Sequence, residues 1–157
     1  MKLKTTIIDR NIRSVAVDNS IQMCDISAYK GFGEIVCKDA EKIHYDEFDV
    51  AVVFLVLMFI QPSNQIKFIQ YLQKKVRVGG CIILCERFLP ETSYIGIVNQ
   101  RLSLLGKLNN KIDTDEIIAK ELSLSGIQRP LHYKKIKKLG FKDFFQLGDF
   151  RGLIFEN

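Results

Sequence analysis

Residues 49 to 86 leave this chain few folding options. "DVAVVFLVL" is an apolar run rich in β-branched residues, "PSNQIKFIQYLQKKVRVGG" has helical spacing, and "CIILCER" is apolar and β-rich again. The helical stretch opens on Pro62 and Ser63, repeats apolar residues at Ile66, Ile69, Leu72 and Val76, and passes through a basic last turn to Gly79 and Gly80. Strand, helix and strand with so little chain between them predict one unit of a largely parallel sheet. The longest apolar run, residues 50–60, is eleven residues long, whereas a membrane-crossing helix needs ~20. It reads as a buried strand running into a turn, and no membrane anchor is expected.

The same alternation extends in both directions. Strand-like segments fall near residues 13–18, 34–38, 49–57, 80–86, 142–148 and 150–156, and helical patterns near 20–29, 63–76, 92–108, 114–125 and 131–139. The last two strands, in "KDFFQLGDFRGLIFE", are joined by a short Gly-Asp turn and predict an antiparallel hairpin on the sheet edge. At 157 residues and 47% hydrophobic content, with no repeat and no linker, the chain is expected to form one α/β domain over residues 1–157. Four cysteines and no signal-like segment near Met1 predict a cytoplasmic protein with reduced thiols. A net charge of +5 permits an acidic partner without specifying one.

Two acids stand where α/β folds do chemistry. Asp18 follows the apolar "SVAV", and a carboxylate at a strand's C-terminal end can accept both hydroxyls of a ribose. Equally, Asp18, Asn19 and Ser20 can cap the following helix, and the two roles can coexist. Asp39, in "EIVCKDAEKI", repeats the arrangement, either as an acceptor for an adenine amino group or as a turn residue. "GFGE", from Gly31, precedes a strand, so it reads as a turn; a dinucleotide fingerprint follows a strand and opens a helix.

No metal site is expected. Cys81 and Cys85 would lie about 13 Å apart on a strand rising ~3.3 Å per residue, whereas sulfurs sharing a zinc lie within about 4 Å. Cys24 and Cys37 lack a CxxC partner, so all four read as buried, reduced thiols. His44 and His132 read as surface residues. In "HYKKIKKLGF", Lys134, Lys135, Lys137 and Lys138 form a solvated basic face over Ile136 and Leu139, and contact with tRNA is not favoured.

"VAVDNSIQM", "KDAEKI", "DVAVVFLVLMFIQPSNQIKFIQYLQKKVRVGGCIILCERF" and "KKLGFKDFFQLGDFRGLIFE" together carry a resemblance. Their order and spacing resemble class I S-adenosylmethionine-dependent methyltransferases, most of all the carboxy-S-adenosylmethionine synthases of the tRNA wobble-uridine pathway. The synthase phrases "IDNS.AM", "FLEPS" and "L.PGG.L.LSEKF" are matched by "VDNSIQM", "FIQPS" and "VRVGGCIILCERF", and the likeness covers residues 11 to 157.

The resemblance implies a Rossmann-like methyltransferase sheet with a C-terminal antiparallel hairpin and S-adenosylmethionine as cofactor. It implies Asp18 as the ribose acid, Asn19 and Met23 as neighbours of the adenosine, and Asp39 with Ala40 at the adenine edge. Phe54 and Met58 stand where the synthases carry asparagine and glutamine, and "DEIIAKELSL" offers Lys120 and Glu121 where they carry a carboxyl-recognising arginine.

The family's first strand and glycine loop have no counterpart, since residues 1–12 contain no glycine. The sheet is therefore expected to be incomplete at its N-terminus, a truncated methyltransferase-like domain. "LKTTIID", residues 3–9, is expected to pair in the vacated slot, as a hairpin or from a neighbouring molecule, giving a homo-oligomer. Two functions follow: a methyltransferase-like protein with weak cofactor binding and no assigned catalytic residue, or an inactive relative that acts as a binding or regulatory protein.

Overall fold

The computed structural model describes residues 12–29 and 33–157, in two compact units that divide between His44 and Tyr45. In the first, strand β1 (Val15–Asp18), helix α1 (Ile21–Tyr29) and strand β2 (Glu34–Cys37) form a parallel two-stranded sheet. The register runs from Val15 opposite Glu34 to Asp18 opposite Cys37, so both C-terminal ends fall at the same level. Ser20 starts α1 by accepting a hydrogen bond from the Met23 N–H at 3.4 Å. The segment 3–9, and residues 31 and 32 of the expected turn, lie outside the described residues.

The second unit holds β3 (Phe48–Phe54), α2 (Pro62–Gln73), β4 (Val76–Arg87), α3 (Ser93–Asn109), α4 (Thr114–Leu124), α5 (Tyr133–Lys137), β5 (Lys142–Leu147) and β6 (Phe150–Glu156). Its sheet has the order β3-β4-β6-β5, with β3 parallel to β4 and the other two pairs antiparallel. The expected hairpin is present: Leu147 faces Phe150 across the two-residue loop Gly148–Asp149. Gly148 has φ +57°, the conformation that the first loop position of a II′ turn needs and that glycine adopts without strain.

β4 begins at Val76, four residues before the expected start near residue 80. Its pairing with β3 shifts between Phe48–Val76 and Val50–Cys81, so the glycines form an irregularity within the strand. A Cβ on Gly80 would collide with the Asp49 carbonyl oxygen, so the close approach of the two backbones there requires glycine.

The buried face of α2 is Gln65, Phe68, Ile69 and Leu72. Ile66 is only half-buried, while Val76 is buried but belongs to β4. The helix ends at Gln73, so Lys74 and Lys75 lie past its last turn rather than in it. The core of this unit gathers Ile69 of α2, Ile82 and Leu84 of β4, Phe88, Leu131, Ile136 of α5, Phe141 and Leu153 of β6, all at most 2% exposed. Each such side chain contributes roughly 1.5–3 kcal/mol.

β3 departs from expectation. Val53 is buried, but Val50, Val52 and Phe54 alternate with it and are 57%, 64% and 63% exposed, so the strand buries one face only. The cysteines depart too: Cys24 is buried, Cys81 and Cys85 are partly exposed, and Cys37 is exposed.

Candidate functional site

The parallel register of β1 and β2 brings Asp18, Asn19, Asp39 and Ala40 together. Asp18 ends β1, Asp39 lies two residues past the end of β2, and Asn19 Nδ2 donates to Asp39 Oδ1 at 3.0 Å. The cluster stands outside the carboxyl ends of two parallel strands, where open α/β sheets bind ligands. Asp18 Oδ1 accepts the Ser20 N–H at 2.8 Å, which fixes the turn into α1. Asp18 therefore fixes the turn before α1 while Ser20 caps the helix, and the Asp18 Oδ2 has no hydrogen-bond partner among the described residues. Met23 lies on α1 and is 49% exposed.

Asp39 is held from two sides, by Asn19 and by Lys42, whose Nζ lies 2.6 Å from Oδ2. The Lys42 ammonium and then the Asn19 amide keep its carboxyl below the usual carboxylate range. Asp39 is thus ionised at neutral pH, and spare lone pairs on both oxygens remain for a ligand donor. Ala40 opens the 3₁₀ turn Ala40–Lys42 that presents Lys42 to Asp39.

The second unit carries a different polar centre, after β3. Leu55 has φ +55°, a left-handed conformation that costs a non-glycine residue roughly 1–2 kcal/mol. Its N–H donates to the Cys85 carbonyl, and the next two, Val56 and Leu57, donate to Glu86 Oε1 at 2.8 and 2.9 Å. Glu86 is 1% exposed, and its Oε2 has no partner among the described residues. Burial pushes its carboxyl up to about 7, against the lowering effect of the backbone N–H groups of Leu57, Val56 and Met58.

Gln65 completes the arrangement, its Nε2 donating to the carbonyls of Leu57, Ile60 and Arg129 at 3.1, 3.3 and 3.1 Å. Sequence reasoning placed Glu86 in a motif but missed its burial. The available signal was a single acid inside an otherwise apolar strand.

Phe54 ends β3 with an exposed ring, and Met58 is 1% exposed with its carbonyl accepting the Arg129 N–H. On α4, Glu121 pairs with Lys107 at 2.6 Å, while Lys120 lines a shallow groove with Ile117 and Ser123. On α5, Lys137 is engaged by Asp143 at 2.7 Å and Ile136 is buried, while Lys134, Lys135 and Lys138 are exposed. Both histidines are exposed. Among the described residues no group of acids, histidines and cysteines could hold a metal ion, and no helix is long and apolar enough to cross a membrane.

No family profile matches the chain. The carboxy-S-adenosyl-L-methionine synthase of Shewanella sediminis is 29% identical over 168 aligned positions, covering 98% of this chain and 69% of that protein. The synthase of the same name from Staphylococcus epidermidis is 26% identical over 164, covering 98% and 72%. Among solved structures, PKMT2 of Rickettsia typhi in complex with AdoHcy aligns with a TM-score of 0.58 at 14% identity, over 90% of this chain and 43% of that one. The N-methyltransferase NodS of Bradyrhizobium japonicum in complex with S-adenosyl-l-homocysteine gives 0.55 at 14% identity, over 92% and 66%. The structural matches establish a Rossmann-like methyltransferase fold, and over 98% of its length the chain is similar in sequence to carboxy-S-adenosyl-L-methionine synthases.

Proposed function

We propose that this methyltransferase-like chain binds S-adenosylmethionine weakly, through the adenosine half of the cofactor. The observation that carries the reading is the Asp18–Asn19–Asp39 cluster at the carboxyl ends of β1 and β2. Asp18 is fitted to a ribose because one oxygen holds the turn while the other is available to hydroxyl donors. Asp39, with Ala40 beside it, is fitted to an adenine amino edge, Asn19 and Lys42 fixing the carboxylate in place. Met23, exposed on the helix that leaves this cluster, supplies apolar surface for the base. When bound, the cofactor supplies an electrophilic carbon on a sulfonium. The chain's part in any transfer is to hold that group in line with an acceptor, catalysis by proximity and orientation.

Titration of the full chain with S-adenosylmethionine, S-adenosylhomocysteine and adenosine in a calorimeter tests this. All three are expected to bind more weakly than about 1 μM, or −8 kcal/mol, with adenosine retaining most of the free energy. Binding of the two cofactor forms without any binding of adenosine contradicts the reading.

A cytoplasmic, self-associating protein fits the same proposal. The exposed face of Val50, Val52 and Phe54 is an apolar surface of the kind that mediates association, and residues 3–9 are the proposed pairing segment. Deleting residues 1–9 is expected to change the particle mass measured by light scattering, by dissociation or by aggregation. An unchanged mass with an unchanged melting temperature contradicts it.

A further inference from the structure

Two of the cysteines flank one residue, Asp18. Cys24, on α1, donates its thiol to the Asp18 carbonyl oxygen at 3.5 Å. Cys37 is the residue paired with Asp18 across the β1–β2 ladder, where neighbouring strands run about 4.8 Å apart. The two thiols are near enough for Cys37 to raise the pKa of Cys24. They differ in access, Cys24 being 7% exposed and Cys37 open to solvent. Cys81 and Cys85 share one strand, opposite Val50 and Phe54, and are spaced too far apart along it to meet.

From this juxtaposition we infer that Cys24 and Cys37 are a redox-active pair that forms a reversible disulfide by exchange with small-molecule disulfides such as glutathione disulfide. Cys37 gives its proton to solvent, and its thiolate attacks one sulfur of that disulfide. A new S–S bond forms to Cys37, the old one breaks, and one glutathione thiolate leaves and takes a proton from solvent. Cys24 then gives its proton to solvent, its thiolate attacks the Cys37 sulfur, and the second glutathione leaves as a thiolate and is protonated in turn. The protein dithiol is oxidised and one glutathione disulfide is reduced to two thiols, with no net change in protons.

Exposure sets the order of the two steps. The open Cys37 meets the reagent, and the buried Cys24 resolves the mixed disulfide. The Cys24 thiol is pushed up to about 11, first by the neighbouring Cys37 thiol and then by burial. The product staples α1 to β2 beside the Asp18 carbonyl. This inference does not depend on the cofactor reading.

The test treats the full chain with excess glutathione disulfide at pH 8, followed by intact-mass and peptide-mapping spectrometry. The wild-type protein is expected to yield a Cys24–Cys37 cross-linked peptide that dithiothreitol reverses. Cys24→Ala is expected to stop at a glutathione adduct on Cys37, and Cys37→Ala to form no bridge involving Cys24. A persistent glutathione adduct on wild-type Cys37 with no cross-link, or a bridge through Cys81 or Cys85 in its place, overturns the inference. The wild-type map is decisive even where a variant fails to fold.

Discussion

Replacing Glu86 with alanine is expected to lower stability by about 3–5 kcal/mol when measured by urea unfolding at pH 5. The carboxyl accepts the Val56 and Leu57 N–H groups inside the protein. Orphaning a buried donor costs ~1–3 kcal/mol, and the cavity left by the side chain adds to this. The choice of pH matters because the group is protonated there, so its removal relieves no buried charge. Against a total stability of ~5–15 kcal/mol, the loss is large. A change below about 1 kcal/mol would mean that the loop after β3 is held by Gln65 and its own backbone instead.

The same carboxyl makes stability depend on pH, with a sign that is easily checked. Its folded value, about 7, lies above the ordinary 4.5. Below 4.5 the folded and unfolded chains both carry the proton, and nothing is lost. Between 4.5 and 7 the unfolded chain releases it while the folded chain keeps it, so stability falls as pH rises, by roughly 3 kcal/mol once pH passes 7. Glu86→Gln keeps an acceptor for Val56 and Leu57 but cannot ionise, so its stability is expected to lack this decline between pH 5 and 8. A variant as steep as the wild type would show that another group carries the dependence.

Asp18→Ala is expected to weaken S-adenosylhomocysteine binding tenfold or more. It removes both the ribose acceptor and the Oδ1 contact that sets the turn into α1. A hydrogen bond to a charged group contributes ~1.5–3 kcal/mol, which is a factor of roughly 10 to 100. Because alanine also removes the contact that fixes this turn, its effect combines ligand binding with local folding.

Much of this architecture was legible in the sequence because the determinants are local. The alternation of apolar strands with helical spacing placed each strand and helix within a few residues, and the Gly-Asp pair marked the hairpin loop. Asp18 and Asp39 could be brought together on paper because each follows a short apolar run, and parallel pairing puts such ends at one level. What was not legible depended on the third dimension. The start of β4 was hidden because Gly79 and Gly80 look like the end of a helix, whereas the backbone of β3 passes close to Gly80 and keeps Val76 in the ladder. The exposed face of β3 was hidden because an unbroken apolar run carries no alternation to show which side is covered. The roles of Lys42, Gln65 and Glu86 rest on partners that only folding brings near.

The central claim is that Asp18 does more than start a helix, and Asp18→Asn tests it most directly. Asparagine retains a side-chain oxygen for the Ser20 N–H, so the turn survives, but it places an amide where the second carboxylate oxygen would meet the ribose hydroxyls. The measurement is the calorimetric affinity for S-adenosylhomocysteine of Asp18→Asn beside the wild type, with the melting temperature of each. The account predicts a melting temperature close to that of the wild type and affinity reduced at least tenfold. Unchanged affinity in a folded Asp18→Asn would reduce Asp18 to a turn-forming residue and contradict the proposed site.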